Sequence, residues 1–307
     1  MRTRRGVLGV LALATLVLAA APAPPDRRLV KVFGDPATAD RVAIIVPGAD
    51  VTAETFDTGT HRPGGSARAL LAEAARLASD RRLAVVAWLG YDSPPSVSVD
   101  VVLDTSAAEG AAALRETVSA LRERTMAPIA LLCHSYGSVV CAKALPGLPV
   151  SDLAVFGSPG LEAPSATALT RRLPPTTPTL TSTSAAPPPL RHGAGPGPLQ
   201  HWTGPGPLAR WTGPGPLRHW AGPGAPPVRL WAGRGGDDWI RFVPKMKFGS
   251  LGFGTDPMDP GFGARIFEVG PGGHSDYFEP GTPSLRNLTL IALGRPDEVT
   301  RAPGGGV

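Results

Sequence analysis

Cysteine is nearly absent from this sequence: there are two, Cys133 and Cys141, in 307 residues. Two cysteines do not make a disulfide framework, and both sit in apolar surroundings, so the expectation is a pair of buried thiols. Lysine is scarce as well. The formal net charge of +5 comes almost entirely from arginine, with no lysine-rich run, which leaves nucleic-acid binding without support. No Cys/His cluster has metal-ligand spacing, and no metal or other cofactor is expected. The longest apolar stretch, Gly6 to Ala20, is short for a membrane span. What the chain has in excess is glycine (38) and proline (36), concentrated in one segment.

Organisation follows from these features. Residues 1–25 have an export pattern. Arg2, Arg4 and Arg5 form a positive end, an apolar stretch follows, and small residues at Ala19/Ala21 or Ala21/Ala23 offer cleavage sites. Thr3 to Leu8 partly matches a twin-arginine signal, and an uncleaved N-terminal anchor is the alternative. In either case the rest of the chain is expected outside the cytoplasm, secreted or envelope-associated. Residues 26–173 and 228–300 then read as two parts of one α/β domain. Between them, 174–227 has neither strand nor helix periodicity and becomes a tandem repeat of period nine: GPGPLQHWT, GPGPLARWT, GPGPLRHWA, then GPGAPPVRLWAG. Gly-Pro in every unit breaks regular structure, so this insert is expected to be disordered. A lid, or an Arg/Trp surface for membrane or polymer, is the functional alternative. Residues 301–307 read as a disordered tail.

Apolar runs alternate with amphipathic stretches. Strands are expected at Arg41–Val46, Leu83–Leu89, Ile129–Cys133, Leu153–Phe156, Val228–Ala232 and Arg265–Val269. Helices are expected at Ala67–Ser79, with Leu70, Ala74, Leu77 and Ala78 as its apolar stripe, at Ala111–Arg124, and at Val139–Leu145. Such alternation specifies a mostly parallel sheet with helices on both faces. Sites in these sheets lie beyond the carboxyl ends of the strands.

One stretch carries chemistry. In PIALLCHSYGS, from Pro128 to Ser138, a buried strand runs through a tight turn into a helix, with Ser135 at the turn. This is the context of a nucleophile elbow. A serine hydroxyl needs a base to take its proton, and the following helix offers free N–H groups to an oxyanion. Gly137 lets strand and helix pack closely. Cys133 stands where the usual G-x-S-x-G pattern has its first glycine. Pro47-Gly48-Ala49-Asp50 follows an early strand, making Ala49 N–H the candidate second oxyanion donor beside Tyr136 N–H. Asp237 and Asp238 follow the strand that comes after the serine, where an orienting carboxylate belongs. Asp238 is preferred because Ile240 two residues on suits a turn that packs back. Of six histidines, His192, His201 and His219 fall in the insert, His134 is pinned beside the serine, and His61 comes too early. His274, on a glycine-rich loop after the last strand, completes Ser135, Asp238 and His274 in Ser–Asp–His order.

The segments VPGAD at Val46, AWLGYDSP at Ala87, CHSYGS at Cys133, DLAVFGSPG at Asp152, DDWIRFVP at Asp237 and DPMDPGFGARIFEVGPGGHSDYF at Asp256 together resemble an actinobacterial α/β-hydrolase family of the DUF1023 type. The resemblance covers most of 42–293 apart from the insert. Two departures stand out, Cys133 for the family's usual glycine and the insert itself. The resemblance implies an α/β-hydrolase fold and a serine hydrolase, and it names no cofactor. The combined expectation is an exported monomeric serine hydrolase acting on a small-molecule or lipid-like ester or similar acyl bond. A non-catalytic hydrolase-fold binding protein of the envelope, and an anchored protein interacting through the Trp/Arg repeat, are the alternatives.

Overall fold

The computed structural model describes residues 28–96, 105–171, 227–249 and 251–302. The expected export signal, nearly all of the repeat insert with its three histidines, and the end of the tail lie outside them.

The sheet is built from β1 (Leu29–Phe33), β2 (Arg41–Val46), β3 (Leu83–Leu89), β4 (Ile129–His134), β5 (Asp152–Phe156), β6 (Arg229–Gly233) and β9 (Arg265–Ile266), in the spatial order β1-β3-β2-β4-β5-β6-β9. Only β1 is antiparallel to its neighbour; every other pair is parallel. A separate two-stranded hairpin joins β7 (Lys247–Phe248) to β8 (Leu251–Gly252). The central strands are apolar along their whole length because both faces are covered. Alternate side chains serve opposite cores. Val42, Ile44 and Val46 of β2 face α2 (Thr105–Arg122) and α3 (Tyr136–Ala144), whereas Ala43 and Ile45 join α1 (Pro63–Leu77) and α5 (Pro283–Leu293). The short α4 (Ala166–Thr170) caps the far side of the first core. This is the α/β-hydrolase fold.

Several elements differ from expectation for local physical reasons. Helix α1 starts four residues early, across Pro63-Gly64-Gly65. Proline suits a first helical position, and the glycines are required by contact: a Cβ at Gly65 would lie 1.7 Å from the Gly59 carbonyl oxygen, and one at Gly64 would lie 2.0 Å from Asp57 Oδ1. Strand β9 is two residues long rather than five: Phe267 N–H still donates to Ala232 O at 3.0 Å, but Phe267 also bridges Arg301, and the next N–H, of Glu268, donates to Thr300 O at 2.9 Å instead of to β6. Arg301, expected in the tail, is therefore part of the fold. Helix α5 is set by its ends: Thr282 Oγ1 accepts from Leu285 N at 3.2 Å, Pro283 opens the helix, and Gly294 closes it at φ 70°.

The two cysteines correct the sequence expectation. They are joined in a disulfide, Cys133 on β4 to Cys141 on α3, with Cα atoms 6.5 Å apart. Both residues are fully buried. The turn at Ser135 folds α3 back over the strand that precedes it, so residues at the two flanks of the elbow meet in the core.

Candidate active site

Ser135 sits between β4 and α3 at φ 51°, ψ −125°, a region that L-residues adopt only when the surroundings impose it. Its N–H donates to Phe156 O at 2.9 Å, and its carbonyl accepts the Ser138 hydroxyl at 2.6 Å. The side chain is lifted off the carboxyl edge of the sheet, and two glycines allow the close packing around the turn, Gly48 against Ser135 itself and Gly137 against the end of β2. A Cβ on Gly48 would lie 2.6 Å from Ser135 Cβ, and one on Gly137 would lie 2.3 Å from Pro47 O.

Ser135, His274 and Asp238 meet although 139 residues separate the first two. Ser135 Oγ lies 2.9 Å from His274 Nε2, and His274 Nδ1 lies 2.8 Å from Asp238 Oδ1. The chain is continuous if Nδ1 carries the imidazole proton and Nε2 is left to accept from the serine hydroxyl. Asp238 is fully buried. Its Oδ1 also accepts from Ile240 N–H at 2.8 Å, and its Oδ2 accepts the Tyr277 hydroxyl. Burial alone would raise its pKa, but the hydrogen bonds from His274 and Tyr277 outweigh this and hold it below the usual carboxylate value. Asp237, the other candidate, is not part of this chain; its N–H donates to Gly272 O at 3.3 Å.

Sequence reasoning missed Tyr277. Burial first, and then the Asp238 charge, raise its pKa, so it stays a donor to Asp238 while accepting from Gly235 N–H at 3.2 Å. The signal was present in the spacing, with an aromatic hydroxyl three residues after His274. Gly157, at φ 57°, leaves room for this cluster: a Cβ there would come within 3.1 Å of both Asp238 Oδ2 and the Tyr277 oxygen.

The loop holding Ala49 is braced from β3's exit. Tyr91, whose pKa burial raises, donates to the carbonyls of Pro47 and Gly48 at 2.8 and 3.2 Å, and Ser93 Oγ donates to Gly48 O at 2.8 Å. Asp50, at φ 59°, donates its N–H to Pro94 O at 3.1 Å and accepts Ser96 N–H on Oδ1 at 2.9 Å. Pinning these carbonyls turns the intervening Ala49 N–H away from them, and it has no hydrogen-bond partner among the described residues. Tyr136, the other expected donor, opens α3 directly after the serine.

Beside the His274 ring stands Trp239, 4.7 Å between centroids and 52% exposed. Phe242 and Met246 are exposed apolar side chains as well. Among the described residues, no group of three or more His, Cys, Asp or Glu side chains could hold a metal ion, and no helix is long and apolar enough to cross a membrane.

Residues 24–172 match a family model described as alpha/beta hydrolase. The uncharacterized protein Rv0963c of Mycobacterium tuberculosis is 33% identical over 177 residues, 55% of this chain and 66% of that protein. A second M. tuberculosis protein, the uncharacterized Rv2079, is 27% identical over 280 residues, 86% of this chain and 37% of its own length. The chain thus spans slightly under two thirds of the first relative and just over a third of the second. Among solved structures, esterase PE8 superposes with a TM-score of 0.45 at 12% identity, covering 87% of this chain and 99% of that one. XC6422 from Xanthomonas campestris, an α/β serine hydrolase without a lid, gives 0.38 at 12% identity, with coverage of 92% and 100%. By its own sheet order the protein has the α/β-hydrolase fold, and its residues 24–172 are similar to the alpha/beta hydrolase family.

Proposed function

We propose that this protein is a serine hydrolase that cleaves an ester or similar acyl bond through an acyl-enzyme, with Ser135 as nucleophile, His274 as base and acid, and Asp238 as the orienting carboxylate. The observation that carries the reading is the unbroken hydrogen-bonded chain from Ser135 Oγ through His274 to buried Asp238, starting at a strained turn. In the first half-reaction Ser135 Oγ bonds to the acyl carbon while its proton passes to His274 Nε2. The negative charge moves to the former carbonyl oxygen, which Ala49 N–H and Tyr136 N–H stabilise. The tetrahedral adduct expels the alcohol, which takes the proton from His274. Water then repeats the sequence, giving its proton to His274 and releasing the acid and free Ser135. Asp238 keeps the proton on Nδ1 and stabilises the imidazolium, and it never takes the proton itself. No metal or other cofactor enters these steps.

The same proposal groups the chain with the DUF1023-type hydrolases, a reading supported by the quoted motifs. It takes the Cys133–Cys141 disulfide as support for an exported protein, since disulfides persist in oxidising compartments. The exposed Trp239 beside His274 suits a lipid-like or other small acyl substrate, in or near the envelope, met by a monomer.

The test is mass spectrometry after reaction with a fluorophosphonate probe. A single adduct on the Ser135 peptide, lost in Ser135→Ala and His274→Ala, is the expected result. A folded wild-type protein that takes no adduct would overturn the reading and leave a non-catalytic binding protein in its place.

A further inference from the structure

His134 is the residue immediately before Ser135, and the mechanism above gives it no task. Its ring is partly buried in a cage of aromatic rings: Phe156 at 5.6 Å, Tyr277 at 5.4 Å and His274 at 4.7 Å between centroids. Its Nε2 lies 2.8 Å from the backbone carbonyl oxygen of His274. A carbonyl only accepts, so Nε2 must carry the proton and donate. Burial, then the nearby His274, pulls the His134 pKa down to about 3, so the ring is neutral at ordinary pH and its Nδ1 carries no proton.

The loop that presents His274 is rich in glycine. Its sequence is Gly270-Pro271-Gly272-Gly273-His274, and glycine has the greatest backbone freedom to lose. Among the described residues, the loop's other backbone ties run to the Asp238 loop or within itself. Gly236 N donates to Gly270 O at 2.9 Å, Asp237 N donates to Gly272 O at 3.3 Å, and Gly273 N donates to Asp276 Oδ2 at 2.8 Å. Those bonds set His274 against Asp238. They do not set it against the serine.

We infer that His134 is a positioning residue: its Nε2–H holds the His274 carbonyl and thereby fixes the distance between the base and the nucleophile beside which His134 is itself anchored. The two ends of the strut are one residue from Ser135 and His274 itself, so error in the catalytic distance is confined to one ring. This inference rests on the proposed hydrolase reading for its catalytic consequence but not for the contact.

Three substitutions separate the hydrogen bond from mere bulk. The amide nitrogen of glutamine can occupy the place of histidine Nε2, that of asparagine the place of Nδ1, and phenylalanine fills the volume with no donor. The rate of fluorophosphonate labelling at Ser135 is read together with amide hydrogen exchange of residues 270–277. His134→Phe and His134→Asn are expected to label roughly 10- to 100-fold more slowly and to exchange faster in this loop, while His134→Gln stays within about threefold of wild type. For ester turnover the loss should appear in kcat with KM nearly unchanged. Equal labelling and exchange in all three variants, or a glutamine variant as impaired as the phenylalanine one, would overturn the inference. If wild type took no label while loop exchange still rose in His134→Phe and His134→Asn but not in His134→Gln, the strut would stand and the hydrolase reading would fall.

Discussion

Replacing both elbow cysteines with alanine tests how the strained turn is held. The disulfide closes a loop with a sequence separation of 8 across Ser135. In the chain-entropy treatment, forbidding the unfolded chain to open that loop is worth about 2.5 kcal/mol at 25 °C. Both sulfurs are fully buried, and two vacated sulfur positions add a cavity cost of roughly 1 kcal/mol. The sum, about 3 to 4 kcal/mol, corresponds to a fall in Tm of roughly 6 to 15 °C for a domain of this size. Differential scanning calorimetry of Cys133→Ala/Cys141→Ala against the oxidised protein measures it. Because the bridge is enclosed, a phosphine reductant should leave the native wild-type melt unchanged. The same reductant applied after denaturation should bring its refolded form close to the double variant. The thermal loss should also exceed any loss in labelling, since the hydrogen bonds from Ser135 N–H to Phe156 O and from Ser138 Oγ to Ser135 O remain to hold the turn. A double variant that melts within about 1 °C of wild type would refute the reasoning, because a loop of that size cannot be closed at no entropic gain.

Two further outcomes are expected. In Gly48→Ala the new methyl group would lie 2.6 Å from Ser135 Cβ, so the serine must shift off His274. Ester turnover should fall about 100-fold with the cooperative melt retained, and unchanged turnover would show that the loop yields instead of the serine. Stability should also fall with acid through His134. Its folded pKa is depressed to about 3, while in the unfolded chain it titrates near 6.5. Between these values the unfolded state binds the extra proton, and folding is penalised by at most about 1.4 kcal/mol per pH unit as pH drops. Asp238, also depressed, adds a loss that begins as the pH falls into the ordinary carboxylate range, where the unfolded chain takes up the proton first. Urea melts from pH 7 to 4.5 should therefore show a slope that is reduced in His134→Gln, and an identical slope in the two proteins would refute the assignment.

What the sequence made legible is what repeats locally. Each central strand is an apolar run because it is buried on both faces, and the helices α1 and α2 carry their stripes at helical spacing, so the parallel sheet could be read directly. Ser135, Asp238 and His274 could be picked out for a related reason: each follows a strand, and in a parallel sheet strand ends converge. Edge and terminal elements were not legible. The residues of β1 are all only partly buried and its single neighbour is antiparallel, so it shows neither a full apolar run nor a clean alternation. The start of α1 is hidden because Gly64 and Gly65 are poor helix formers retained for contacts with Asp57 and Gly59. The disulfide is not legible from the number of cysteines, because the relevant fact is that a strand–turn–helix folds its second limb back along its first. With the serine at the turn, a residue two before it and one six after it lie on facing surfaces. Read that way, Cys133 is more than a lost glycine. The glycine of the usual pattern permits close approach of strand and helix, and here the same close approach is used to bond them, so the departure from the pattern and the second cysteine are one feature of the elbow.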